Sequence, residues 1–125
     1  MRKKRILIVD DEVALTRLMR IALEHTGKYE VRAENDSTVV IAAALEFRPE
    51  LIVLDLIMPN LDGGDVAEAL RMHPELKEIP IVFLSASVRK SEIDAAGGVL
   101  GGFPFLAKPT SAEEISAYID KHLPE

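Results

Sequence analysis

The chain contains no cysteine, which excludes a disulfide framework, a thiolate zinc site and a thiol nucleophile. It has no apolar run approaching the ~20 residues that span a bilayer, so no membrane segment is expected. Arg2-Lys3-Lys4-Arg5 is basic, but Asp10 and Asp11 interrupt the apolar stretch behind it. No signal-peptide core follows; the run reads as a solvated strand entry and a cytoplasmic location is expected. Positive charge is in deficit, with a net charge of -6, which argues against a domain whose main task is direct contact with nucleic acid. No glycine-rich fingerprint follows the first apolar run, so dinucleotide binding is not indicated. His25, His73 and His122 fall in separate elements without metal-ligand spacing and read as surface residues. Repeats, linkers and low-complexity segments are absent.

The 125 residues, 48% hydrophobic and 29% charged, suit one globular domain over residues 1–125. Its centre is Leu51-Ile52-Val53-Leu54-Asp55-Leu56-Ile57-Met58-Pro59-Asn60-Leu61-Asp62-Gly63. An unbroken apolar run of this kind reads as a strand covered on both faces, and Asp55 ends it. Ile6-Leu7-Ile8-Val9 repeats the design and runs into Asp10-Asp11. A helix over 12–25 follows, with acidic residues in its first turn and a stripe of Ala14, Leu18 and Ile21 widened by Leu15, Met19 and Ala22. Residues 29–33 form a short strand, and Asp36 or Ser37 caps a second helix running to Phe47. Asp62-Gly63-Gly64 opens a third helix. Ile81-Val82-Phe83-Leu84 is a buried strand ending at Ser85. A fourth helix over 88–96 has a thin apolar stripe. The last strand, 103–107, contains Pro104, which cannot donate to a ladder, and is expected at the sheet edge. Thr110 and Glu113 match a capping box for the last helix.

Strands alternate with helices, which predicts an α/β fold: a parallel sheet with right-handed crossovers and helices on both faces, in the flavodoxin-like order 2-1-3-4-5. That order makes strands one and three neighbours at the topological switch point. Asp10, Asp11 and Asp55 then converge, flanked by Ser85 from strand four and Lys108 from strand five. Crowded carboxylates raise one another's pKa, and a hard divalent cation relieves the repulsion. Magnesium suits oxygen ligands and commonly links carboxylates to a phosphate. A metal seat, a carboxylate nucleophile and two oxyanion donors are the parts for phosphoryl transfer to a carboxylate. Taken singly, each residue has a plainer reading: Asp10 or Asp11 as helix caps, Ser85 as an N-cap, Lys108 as a solvated lysine, Phe105 as strand packing.

With Asp10-Asp11, Leu54-Asp55, Met58-Pro59, Asp62-Gly63, Ser85-Ala86 and Lys108-Pro109 in this order, the chain resembles the receiver domain of two-component response regulators along its whole length. The resemblance implies that Asp55 is the phosphoacceptor. It implies magnesium bound by Asp11, Asp55 and the backbone carbonyl of Ile57, with Asp10 helping through water. Lys108 would pair with a phosphate oxygen, Ser85 would donate its hydroxyl to another, and Phe105 would be the switch aromatic. The Lys108–Pro109 bond would be cis. Implied partners are a sensor histidine kinase or phosphotransfer protein, and an output domain or second copy at the face of helix four, strand five and helix five. The implied role is a signalling switch, not an enzyme. An aspartyl-nucleophile phosphatase is the main rival, but it wants a second acid two residues after the nucleophile, where Ile57 stands.

Overall fold

The computed structural model describes residues 2–86, 90–95, 97, 99–100, 103–108 and 110–123, with the backbone alone at 90, 94, 99 and 100. The elements run β1 (Lys4–Val9), α1 (Val13–His25), β2 (Tyr29–Glu34), a 3₁₀ turn (Ser37–Val39), α2 (Val40–Phe47), β3 (Leu51–Asp55), α3 (Gly63–Met72), β4 (Ile81–Ser85), α4 (Lys90–Ala95), β5 (Val99–Leu100), β6 (Phe103–Ala107) and α5 (Ala112–His122). Five strands are parallel in the order β2-β1-β3-β4-β6. This is the expected doubly wound order, with β6 in the place of strand five.

Period-two alternation splits the apolar runs between the two faces of the sheet. Leu7, Val9, Ile52 and Leu54 face one cluster with Val40, Ala44, Val66 and Leu70 from α2 and α3. Ile6, Ile8, Leu51 and Val53 face the other with Met19, Leu23, Ile115 and Ile119 from α1 and α5. A strand apolar at every position is therefore buried on both sides, and the carboxylate that ends it stands where both layers stop.

The sheet does not end at the proline-containing strand. β5 pairs antiparallel with β6 through Val99–Pro104 and Leu100–Phe103, so the edge falls to β5. Pro104 is tolerated because the ladder with β4 begins one residue later, at Phe105 opposite Phe83. Other local expectations shift as well. Glu12 is the N-cap residue of α1 and its first turn holds no acidic residue. Ser111, not Thr110, caps α5 by accepting from the Glu114 N–H at 3.1 Å. The sheet-facing residues of α1 are Thr16, Met19 and Leu23, while Leu18 and Ile21 are exposed. These two line a groove with Ala112, Ser116 and Ala117 of α5. Helix α4 is described only over Lys90–Ala95, and Pro109, hence the geometry of the bond before it, lies outside the described residues.

Candidate functional site

The adjacent carboxyl ends of β1 and β3 bring Asp10, Asp11 and Asp55 together. One oxygen from each lies within 4.8 Å of the others. Asp10 and Asp55 are buried and Asp11 is exposed, so the cluster opens to solvent on the Asp11 side. Register explains the convergence: Val9 pairs with Leu54, placing Asp10 and Asp55 one step on along neighbouring parallel strands.

Lys108 enters from the end of β6. Its ammonium lies 2.6 Å from Asp10 Oδ2, 3.2 Å from Asp55 Oδ1 and 3.6 Å from Glu12 Oε1. Its backbone N–H donates to the Ser85 carbonyl at 2.9 Å, which joins the ends of β4 and β6 under the site. The contact with Asp10 is an ion pair without hydrogen-bond alignment at Oδ2; Asp10 Oδ1 accepts from the Glu12 N–H at 2.9 Å. Burial opposes the charged ammonium, but Asp10 and Asp55 outweigh it and hold the Lys108 pKa above its ordinary value. The Asp55 pKa rises too, which for a carboxylate favours the neutral form. Burial first, and the negative charge of Asp10 second, push it up to about 6, against the pull of Lys108 and of the Ile57 N–H.

The remaining sequence candidates fall around this centre. The Ile57 backbone touches the Asp55 carboxylate and its side chain is exposed. Ser85 is buried at the end of β4, opposite Ala107. Phe105 is half-buried, its ring centroid 5.2 Å from that of Phe83, which meets Phe103 edge-on at 5.1 Å. His25 and His122 are exposed and His73 is half-buried, and none belongs to the acid cluster.

Three residues that sequence reasoning did not place here support the site. Gly63 packs so tightly that a Cβ would stand 2.4 Å from the Asp55 carbonyl oxygen and 2.8 Å from Leu56 Cα. Its N–H donates to the Leu56 carbonyl at 2.7 Å, fixing the start of α3 against the strand end. The Asn35 amide donates to the Asp10 carbonyl at 2.7 Å and to Thr16 Oγ1 at 2.9 Å. The Ser37 hydroxyl, buried, donates to the Pro59 carbonyl at 3.0 Å and accepts from the Leu61 N–H at 3.1 Å. In the sequence Gly63 is visible only in the Asp62-Gly63 pair that opens the third helix, and Ser37 only as a capping residue. Nothing marked their long-range partners.

A doubly wound α/β domain with three carboxylates and a lysine at its switch point is the class these observations define. The chain belongs to the response regulator receiver domain family, whose model matches residues 6–120. It is 36% identical over 117 residues to the alkaline phosphatase synthesis transcriptional regulatory protein PhoP of Bacillus subtilis, covering 93% of this chain and 47% of that one. It is 36% identical over 115 residues to the DNA-binding dual master transcriptional regulator RpaA of Synechocystis, covering 92% and 47%. The chain thus spans about half the length of these relatives. Among solved structures, it superposes on the Vibrio cholerae chemotaxis protein CheY4 with TM-score 0.81 and 27% identity, covering 98% of this chain and all of the other. A response regulator from Desulfuromonas acetoxidans gives 0.79 and 26%, covering 96% of both chains. Among the described residues no helix is long and apolar enough to cross a membrane.

Proposed function

We propose that the chain is a phosphorylation-dependent switch in which Asp55 accepts a phosphoryl group from a sensor histidine kinase or phosphotransfer protein. The observation that carries this reading is the placement of the Asp55 carboxylate, buried at the end of β3 and 3.2 Å from the Lys108 ammonium. An Asp55 oxygen attacks the phosphorus of a phosphohistidine, the phosphorus–nitrogen bond breaks, and the imidazole leaves with the bonding pair. Lys108 then exchanges a carboxylate for a phosphoryl oxygen, a charge-assisted contact of the same kind. Ser85 supplies its hydroxyl to another phosphoryl oxygen, and Phe105 answers the movement of Ser85 by turning inward.

The donor set suits a hard cation. Its side-chain donors are carboxylate oxygens, three within 4.8 Å of one another, with the Lys108 ammonium against them. Asp10, Asp11, Asp55 and the Ile57 carbonyl would hold magnesium, which would offset the cluster's charge and that of the phosphoryl oxygens.

Residues 1–125 act as one receiver domain that promotes only its own phosphorylation and dephosphorylation. Its readout is the face of α4, β6 and α5, presented to an output domain or to a second copy. The domain works in the cytoplasm and does not itself bind nucleic acid or membrane. The test is labelling by a small phosphodonor with and without magnesium. Labelling should require magnesium, vanish in Asp55→Ala and persist in Asp62→Ala, whose side chain is occupied in capping α3. Equal labelling of Asp55→Ala at another carboxylate overturns the assignment.

A further inference from the structure

Two separate loops frame the acid site. Asp10 and Asp11 follow β1, and the 56–62 segment behind Asp55 follows β3. One short connection touches both. Asp36 has extended backbone, φ -124 and ψ 118, so the side chains of Asn35 and Ser37 leave the chain on the same side, while the Asp36 carboxylate caps the Thr38 N–H at 2.9 Å. Asn35 holds the first loop through the Asp10 carbonyl and the start of α1 through Thr16. Ser37 holds the second loop on both sides of Asn60, donating to Pro59 and accepting from Leu61. Asn60 has φ 71, the left-handed conformation that asparagine tolerates better than most side chains, and the two Ser37 bonds close around it.

We infer that Asn35 and Ser37 are positioning residues, a strap that sets the spacing between the Asp10–Asp11 loop and the Asp55 loop. The inference rests on the phosphoacceptor reading of Asp55. Neither side chain need touch the metal or the phosphoryl group, because each acts through the backbone of the loop it grips. Hydrogen-bonded supports of this kind carry up to 10–100-fold in metal affinity when they hold a ligand directly. Asn35 and Ser37 grip the loops one step further back, so roughly three- to tenfold is expected for each.

A strap has a signature that two independent packing contacts lack. Once one arm is cut, the loops are no longer tied to each other, so cutting the second adds little. Residues acting on one shared element are non-additive in this way.

The experiment compares wild type, Ser37→Ala, Asn35→Ala and the double variant. Two quantities are read: the magnesium dissociation constant, from amide shifts during magnesium chloride titration, and the rate of labelling by acetyl phosphate. Thr26→Ala, which removes the Thr26 hydroxyl bond to the Leu23 carbonyl at the far end of α1, controls for a general loss of stability. The expected result is a roughly three- to tenfold loss in each single variant, a double variant within about twofold of the weaker single, and wild-type values in Thr26→Ala. If Ser37→Ala unfolds at the assay temperature, Ser37→Cys, of similar size but with a weaker donor, takes its place under the same criteria. Singles that match Thr26→Ala, or a double whose loss is the product of the two, overturn the strap while leaving Asp55 as the acceptor. A wild-type protein that takes neither magnesium nor a phosphoryl group overturns the Asp55 reading and the strap with it.

Discussion

Lys108 sits closer to Asp10 than to Asp55, at 2.6 Å against 3.2 Å. The carboxylate it approaches more closely is therefore not the proposed phosphoacceptor. Its ammonium stabilises a fully buried acid, and Asp55 is left partly compensated.

Removing the ammonium should expose how much the acids repel. Lys108→Met leaves Asp10 buried without its cation. Breaking a buried pair from one side costs about 3–5 kcal/mol, and proton uptake by Asp55 offsets part of this, so about 2–4 kcal/mol is expected at neutral pH. Adding Asp10→Asn to Lys108→Met should recover most of the loss. Urea unfolding in magnesium-free buffer checks both, and a double variant no more stable than Lys108→Met refutes the repulsion.

The Asp55 pKa fixes a pH dependence. The folded value of about 6 lies above the ~3.9 of an unfolded aspartate. Between them the folded state holds more protons, so this group's contribution to stability falls as pH rises from ~4 to ~6 and stays low above that. Without magnesium, Asp55→Asn should flatten the curve in that window and exceed wild type above pH 6 by up to about 3 kcal/mol. Thermal melts of the two proteins across pH 4 to 8 make the comparison; parallel curves would refute it.

Two adjacent glycines should respond oppositely to a methyl group. In Gly63→Ala the Cβ would meet the backbone of Asp55 and Leu56, which cannot yield without moving the strand end or α3. A loss above about 2 kcal/mol, in the range of overpacked cores, and a parallel loss of phosphodonor labelling are expected. Gly64→Ala meets only the Asp62 side chain at 3.2 Å and should be nearly neutral. Melting temperatures of equal size in the two variants would contradict the packing argument.

Ile57 leaves an apolar side chain exposed beside Asp55, the proposed acceptor, and that side chain cannot orient a hydrolytic water. Ile57→Asn should shorten the lifetime of the aspartyl phosphate several-fold. Decay measured after removal of the phosphodonor gives the answer, and an unchanged half-life removes Ile57 from the dephosphorylation pathway.

The legible part of this protein was its periodicity. Apolar runs with no polar interruption, each closed by a carboxylate or hydroxyl, specified strands buried on both faces, and strand order then determined which ends met. Asp10, Asp55, Ser85 and Lys108 were readable because each sits at a strand end. The α1 stripe was misjudged because Leu18 and Ile21 share the period of Met19 and Ala22. Periodicity alone cannot rank two overlapping apolar faces, and the sheet takes the one carrying Thr16, Met19 and Leu23. The 99–100 strand was missed because two residues carry no period. Ser37 reads as local capping chemistry and Asn35 carries no signal at all, because their partners lie 19 to 25 residues away.

The outermost strands bear on how the molecule behaves in a crowd. An open sheet offers unpaired amides and carbonyls at each edge, and such edges recruit strands from other chains. One edge here is β5, only 2 residues long. The other is β2, where Glu30, Arg32 and Glu34 alternate along the strand and Arg32 pairs with both Glu34 and Glu46. Brevity guards one flank and charge the other, so neither is a template for strand-to-strand polymerisation.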